Sequence, residues 1–310
     1  RIDWATDSKN SYYFDGELRE VTKVPERIEV RGRKAVIDTV RYTHLGPIVY
    51  ENDTTEYYDM AMRWLTHDAP NPEELQTFIG LNTAQDYDDY SEALTNYDRP
   101  AQNFVFASKE GDIALKVNGK LPVKRTEQGR FIQEGNTSVN EWQGFIPKSQ
   151  VAQVKNPERG FISSANQRST DASYPYYYNA RNFDDYRGRY INRRLAEMDS
   201  ITVQDMMELQ NDSYSIFAEE GLAALLKYLD REKLSTVQQG LLKILEAWDF
   251  RFKADGEAPI LFVEWWENFY EMTWDEVYVK NEEQPMLFPE NWRTIDLLLN
   301  DPLNIFWDID

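Results

Sequence analysis

The stretch that says most about fold and function reads NPERGFISSANQRSTDASYPYYYNARNFDDYRGRYINRRL and covers residues 156–195. It places a side-chain amide, Asn166, and a guanidinium, Arg187, on two segments that an aromatic loop joins. The amide offers two N–H donors and the guanidinium offers five with a permanent charge, so both suit an oxygen that becomes negative during acyl transfer. Both residues also have ordinary interpretations. Asn166 can form a turn, and Arg187 can pair with Asp184 or Asp185 at the start of a helix.

Short motifs on both sides of this stretch follow one another in a characteristic order. They are GPIV at residues 46–49, QNFVFA at 102–107, EGDIA at 110–114, GKLP at 119–122, WQGFIP at 142–147, NPERGF at 156–161 and YRGRYI at 186–191. In this order and with these gaps, the motifs resemble the penicillin acylase family of N-terminal-nucleophile amidohydrolases. The resemblance runs from the first residues to about Trp248.

The resemblance implies an α+β fold that forms part of a four-layer αββα core with a helical extension. It also implies an amidohydrolase that cleaves the side-chain amide of N-acyl compounds, such as β-lactam amides or acyl-homoserine lactones, through an acyl-enzyme on an N-terminal Ser. The chain begins with Arg1, whose side chain stays protonated and cannot attack a carbonyl. We therefore expect an interior fragment of the nucleophile-bearing chain, inactive alone, whose partner is the remainder of the same precursor.

Site roles follow from the resemblance position by position. Asn166 matches the family's oxyanion asparagine, and Arg187 matches the arginine near the nucleophile, so we predict both to be catalytic. Five positions match the border or wall of the pocket that receives the acyl group, and they are Gln102, Asn103, Phe78, Tyr177 and Phe183. Each of these five also has an ordinary interpretation as a sheet residue, a core aromatic or a packed loop residue.

Composition narrows the classes of partner. The chain carries 34 basic and 54 acidic residues, a net charge of −20, which disfavours nucleic acid and anionic membranes as partners. No apolar run approaches the roughly 20 residues that cross a membrane, and no signal segment stands at Arg1. We expect a small-molecule N-acyl substrate. The resemblance implies a periplasmic or extracellular location for the parent.

The residues for metal binding are few. The chain has no cysteine and two histidines, His44 and His67, so a typical zinc site is not expected and no metal ligand is assigned. The resemblance implies no required cofactor but leaves a structural calcium ion open. Relatives hold it partly through an Asp after Tyr-Pro and a carbonyl near Gly129, whereas Tyr178 and Asn179 stand after Tyr-Pro here.

The sequence pattern changes near residue 165. Residues 1–165 read as the mostly β part of the core with two short helices, and residues 166–310 as a mostly helical part with the oxyanion-type Asn at its start. Hairpins are predicted across residues 15–16, 31–33 and 109–111, with a strand at 56–64 and Asn166 at a strand end. Helices are predicted over 72–81 and 86–97, from Thr202 to about Leu229, from Ser235 to about Phe250, and over 259–279 and 291–299.

Two alternatives of other classes stay open. Because the nucleophile is not in this chain, the chain could be a non-catalytic binding or structural module. A carbohydrate-acting protein is suggested by Glu264, Glu267 and Glu271 beside Trp266 and Trp274. However, their spacing is that of an ordinary amphipathic helix, and a glycosidase needs two carboxylates across a cleft.

Overall fold

The computed structural model describes residues 1–50, 59–177, 184–275, 288–304 and 307. The chain divides into two compact units. One comprises Arg1–Ile162 with Arg168–Asn182, and the other comprises Ser163–Gln167 with Phe183–Asp310. The short loop that carries Asn166 therefore groups with the helical residues that follow it in sequence.

Two of the predicted hairpins open the first unit. Strands β1 (Ser11–Phe14) and β2 (Glu17–Glu20) pair across Asp15 and Gly16, whose φ angles are +48° and +78°. Two successive positive φ angles fit a two-residue turn whose twist matches that of the strands, which is why an Asp-Gly pair marks such a hairpin. Strands β3 (Thr22–Ile28) and β4 (Val36–Thr43) form the second predicted hairpin in antiparallel register.

The sheet continues through a glycine that a larger residue could not replace. Strand β5 (Gly46–Tyr50) pairs with β4. Gly46 has a φ of +136°, and a Cβ there would lie 2.2 Å from the carbonyl oxygen of Met62. Only glycine allows this backbone conformation and this close approach.

In the described part of the strand predicted at residues 56–64, only two residues form a strand. Strand β6 spans Met60–Ala61 and pairs with β5. Residues 51–58 lie outside the described residues. The Met62 N–H still donates to the Pro47 carbonyl of β5 at 2.9 Å, and the chain then leaves the sheet ahead of a 3₁₀ turn at Leu65–His67. There Arg63 binds Asp68 through two hydrogen bonds of 2.7 and 3.0 Å, an interaction with which a continuing strand would compete.

The remainder of the first unit combines two helices with a third sheet. Helix α1 (Glu74–Thr83) begins two residues later than predicted, because Asn71 Oδ1 accepts from the Glu73 N–H and holds residues 71–73 as the helix entry. Helix α2 (Tyr87–Ala93) follows. Strands β7 (Gln102–Ala107) and β8 (Ile113–Asn118) form the third predicted hairpin. Strand β9 (Gln153–Lys155) was not predicted, because three residues are too few to show alternation.

The second unit is helical in its described residues. Its helices are α3 (Tyr186–Glu197), α4 (Val203–Asn211), α5 (Ile216–Tyr228), α6 (Thr236–Glu246), α7 (Glu257–Thr273) and α8 (Asn291–Asn300). Both predicted capping boxes form, at Thr202 and at Ser235. The core surrounds Phe262, which is fully buried against residues of α5, α7 and α8.

The predictions of helix length in this unit were wrong at three places. The helix predicted from Thr202 to Leu229 is broken at residues 212–215, where Asp212 turns to bind Arg251 and Ser215 caps α5 by accepting from the Ala218 N–H. The helix from Ser235 ends at Glu246 and not near Phe250, which has a φ of +57°. Helix α7 begins two residues earlier than predicted and ends at Thr273. Residues 276–279 of that prediction lie outside the described residues.

The tryptophans at α7 do not form a carbohydrate-binding face. Trp266 and Trp274 are both buried, and their indole N–H groups donate to Asn291 Oδ1 and Thr294 Oγ1 of α8. A sugar-binding tryptophan needs an exposed ring face. These two side chains serve the core, as the amphipathic pattern predicted.

Candidate active site

Asn166 lies in a turn and not at the strand end that the sequence predicted. Residues 161–167 are described and contain no strand, because Phe161 and Ile162 find no pairing partner there. The φ angle of Asn166 is +65°, in the left-handed region that asparagine tolerates better than most residues. The turn-forming interpretation therefore holds for the backbone, while the side chain is exposed and available for contacts outside the turn.

Arg187 holds the side chain of Asn166. Its Nη2 donates to Asn166 Oδ1 at 2.9 Å and makes a longer bond of 3.4 Å to the carbonyl oxygen of Ala165. Because a guanidinium has only donors, it must face the oxygen of the amide and not the nitrogen. The two N–H groups of Asn166 Nδ2 are thus left for another acceptor.

Arg189, two residues further along α3 than Arg187, forms an ion pair with Asp185. Arg189 lies 3.8 Å from Asp185 and also binds Glu220, whose hydrogen bonds raise the pKa of Arg189. Asp185, one of the two acids considered as partners for Arg187, is thus engaged by Arg189. The structure brings Asn166 and Arg187 together, and their catalytic roles stay predictions.

The ring of Tyr186 makes an apolar packing contact at the start of α3. Its ring packs on Phe217 at a centroid distance of 5.6 Å, and its hydroxyl is buried without a hydrogen-bond partner among the described residues. Burial, reinforced by the nearby Glu220 and Asp184, raises the pKa of Tyr186 far above its usual value. The shift favours the neutral form of the phenol.

Sequence reasoning missed two residues that shape this loop, Gln167 and Gly188. Gln167 Oε1 accepts from the Ala165 N–H at 2.7 Å, and the Gln167 side chain lies against Gly188 of α3. Gln167 carries no signal in a single sequence. Gly188 carries a weak one, since a glycine inside a helix disfavours helix formation and indicates close packing.

Four of the five predicted pocket residues, all but Phe183, belong to the first unit. Gln102 and Asn103 are consecutive on β7, so their side chains point to opposite faces of the sheet and only one of them can face a pocket on a given side. Phe78 on α1 is 48% exposed and meets the edge of Tyr97 at 6.0 Å. Their roles at an acyl pocket stay predictions.

The aromatic loop is described only in part. Tyr177 pairs with Lys124 in an isolated bridge, and Lys124 Nζ lies 5.9 Å from the centre of its ring. Burial raises the pKa of Tyr177 and lowers that of Lys124. Phe183 lies outside the described residues.

The described ranges give no support for a carboxylate-rich metal site. No group of three or more His, Asp or Glu side chains that could hold an ion comes together within them. Tyr178 and Asn179, where the resemblance places a calcium ligand, lie outside the described residues, so calcium binding stays a prediction. Across the same ranges no helix combines the length and apolarity that crossing a bilayer requires.

Comparison with solved structures defines the class of fold. The thermostable penicillin G acylase from Alcaligenes faecalis superposes with a TM-score of 0.72 at 19% identity, over 91% of this chain and 52% of that chain. The predicted α+β fold of the N-terminal-nucleophile hydrolases is thereby confirmed.

Comparison of sequences identifies the family. The penicillin amidase family profile matches residues 2–310, and the chain belongs to this family, as its motifs predicted. Penicillin acylase 2 proenzyme of Pseudomonas sp. strain SE83 is 28% identical over 249 residues, which are 79% of this chain and 31% of that protein. The acyl-homoserine lactone acylase QuiP of Pseudomonas fluorescens strain Pf-5 is 24% identical over 217 residues, 67% of this chain and 26% of that protein. The chain therefore spans about a third or less of the length of these relatives.

Proposed function

We propose that this chain is part of an amidohydrolase that cleaves the amide of N-acyl compounds through an acyl-enzyme, with Asn166 as a donor to the oxyanion. The hydrogen bond of 2.9 Å from Arg187 to Asn166 Oδ1 carries the proposal. It fixes which end of the amide faces the arginine and leaves Nδ2 as a donor at the exposed side of the turn. Membership of the penicillin amidase family and the relatives named as acylases support the same reaction.

In the proposed mechanism, an N-terminal serine from the remainder of the precursor attacks the carbonyl carbon of the substrate amide. The carbonyl oxygen becomes negative, and the Asn166 Nδ2–H bond to it strengthens as that charge develops, which lowers the barrier. The C–N bond then breaks and the amine leaves with a proton. Water attacks the acyl-enzyme next, passes through a second oxyanion at the same donors, and releases the carboxylic acid together with the free serine.

The substrate class is proposed from the relatives. One of them is named as a penicillin acylase and others as acyl-homoserine lactone acylases, so a β-lactam amide and an acyl-homoserine lactone are the two candidates. Both offer an amide between an acyl chain and a polar amine-bearing ring. A processed precursor belongs to the same proposal, and the word "proenzyme" in a relative's name supports it. A periplasmic or extracellular location is proposed with it from the family resemblance alone.

The test is Asn166→Ala in the complete processed protein, assayed with phenylacetyl-p-nitroanilide, octanoyl-p-nitroanilide and N-octanoyl-homoserine lactone. We expect kcat to fall by about a hundredfold or more, the usual loss on removing an oxyanion donor, with a small change in KM. Asn268→Ala is the matched control, because Asn268 is exposed on α7 and its amide bonds within its own helix to the Glu264 carbonyl. A kcat for Asn166→Ala equal to that of the control would refute the proposed role.

The same assay separates the alternative class. A non-catalytic binding or structural module predicts that the complete protein hydrolyses none of the three probes. Hydrolysis of any probe, lost on replacement of Asn166 and kept on replacement of Asn268, excludes that alternative.

A further inference from the structure

The loop at residues 163–167 is tied to one face of α3 by more than the bond between Arg187 and Asn166. Ser163 Oγ donates to Asn192 Oδ1 at 2.6 Å. One turn earlier on the helix, Gly188 is buried under the Gln167 side chain. Positions 188 and 192 are four residues apart and lie on the same helix face, so a single face of α3 supports both ends of the loop.

Gln167 closes the loop around Asn166. Its Oε1 accepts from the Ala165 N–H at 2.7 Å, so the bond spans the one residue between them. Ala165 is 6% exposed, and its N–H group would be deprived of a partner and of water without this acceptor. The left-handed backbone of Asn166 is therefore held from both sides by one side chain.

Because Gly188 has no side chain, it leaves the space in which Gln167 can accept from the Ala165 N–H. A Cβ at position 188 would lie 3.2 Å from both Cδ and Oε1 of Gln167, closer than ordinary van der Waals contact. Any larger residue would push on the atom that accepts from Ala165. This explains a glycine in the first turn of α3, where a stronger helix former would otherwise be favoured.

We propose that Gln167 is a positioning residue for the oxyanion donor. By accepting from Ala165 it holds the turn in which the Asn166 side chain meets Arg187, and so it sets the direction of the Nδ2 donor. The proposal rests on the proposed function of Asn166. Gln167 acts through Asn166 and has no contact of its own with the reacting atoms in this proposal.

Two substitutions at position 167, made in the complete processed protein, test this role with phenylacetyl-p-nitroanilide. Gln167→Met keeps the length of the side chain and removes the acceptor, and we expect kcat to fall about three- to tenfold with little change in KM, the loss of one net hydrogen bond. Gln167→Glu keeps an acceptor for the Ala165 N–H and should recover most of kcat. Equal activity of both variants and the wild type would overturn the proposal.

A double variant separates positioning from a general loss of structure. If Gln167 acts only through Asn166, then Asn166→Ala with Gln167→Met should be no slower than Asn166→Ala alone. A further drop of the same factor in that background, as a folding defect would give, overturns the role of Gln167. Gly188→Ala should lower kcat in the same direction as Gln167→Met, since its Cβ displaces Oε1.

The outcomes also distinguish this inference from the function on which it rests. An unchanged rate for Asn166→Ala would refute the proposed function itself. A slow Asn166→Ala enzyme together with a wild-type rate for Gln167→Met removes the role of Gln167 alone.

Discussion

Replacing Asp212 by alanine should destabilise the second unit, because this carboxylate joins three segments of it. Asp212 follows α4, accepts two hydrogen bonds from Arg251 at 3.0 and 3.1 Å, and accepts a third from the hydroxyl of Tyr190 on α3. Its other contact is with the backbone N–H of Tyr214, at the break between α4 and α5. The same carboxylate therefore fixes the break and the helix that supports the Asn166 loop.

The size of the effect follows from what each partner loses. Tyr190 is 8% exposed, so its hydroxyl cannot turn to water, and leaving it unsatisfied costs about 1–3 kcal/mol. Arg251 has a side chain that is 36% exposed and can be hydrated, so its share is about 1 kcal/mol or less. We expect the free energy of unfolding to fall by about 2–4 kcal/mol in Asp212→Ala, with these losses and that of the Tyr214 contact combined.

Urea unfolding of Asp212→Ala, Tyr190→Phe and the double variant measures this. Tyr190→Phe should lower the free energy of unfolding by less than Asp212→Ala, because Asp212 keeps its hydrogen bonds to Arg251. The double variant should lose less than the sum of the two single losses, since it leaves no buried hydroxyl without its carboxylate. A coupling of about 1–2 kcal/mol is expected. Additive losses would refute the view that these groups act as one network.

The pH dependence gives a second, independent measurement on Asp212. Burial raises the pKa of Asp212, but the hydrogen bonds from Arg251 and Tyr190 lower it more, so it lies below its usual value. The unfolded chain then binds the proton more readily. The stability that this carboxylate contributes is complete above the unfolded pKa of about 3.9 and is lost as the pH falls through the lower folded pKa. Asp212→Ala should lack this part of the acid dependence.

Three further predictions concern the cores of the two units. Phe262→Ala should lower the free energy of unfolding by about 3–5 kcal/mol, because Phe262 is fully buried. Gly221→Ala should cost about 1–2 kcal/mol, since its Cβ would lie 3.1 Å from Phe262 Cζ while alanine favours the helix; urea midpoints that rank these two in the opposite order would contradict the packing. His44 lies against Phe14 at 4.1 Å, and burial lowers its pKa more than Glu141 raises it, so stability should fall as the pH drops from about 6.5 towards the lower folded pKa. His44→Gln should flatten the stability curve in that window, and an unchanged slope would exclude His44 as its source.

Features that depend on neighbouring residues could be predicted from the sequence. The turn at Asp15 and Gly16 and the capping boxes at Thr202 and Ser235 are built by residues within three positions of one another. The break between α4 and α5 could not be predicted, because Asp212 leaves the helix for Arg251, 39 residues later. Helix propensity alone favours one continuous helix here, but the hydrogen bonds between Asp212 and the distant Arg251 override it.

The candidate site was predicted as far as the family motifs extend. Their order indicated Asn166 and Arg187, and the structure adds the hydrogen bond between them and its direction. The support from Gln167 was not predictable in this way. It depends on a backbone φ of +65° and on a gap above Gly188, and neither leaves a periodic or local pattern in the sequence.

A neutral amide backed by a cation suits the proposed reaction better than the cation alone would. The product is a carboxylic acid that ionises at physiological pH, and a guanidinium facing the reacting carbonyl would hold that carboxylate by two charge-assisted hydrogen bonds. In its proposed role, Asn166 instead presents N–H donors whose hydrogen bond strengthens as charge develops on the carbonyl oxygen. Arg187 polarises that amide from its oxygen side, at 2.9 Å. In the proposed reaction this arrangement would direct stabilisation to the transition state, which raises kcat, and less of it to the bound product, whose release would otherwise be slow.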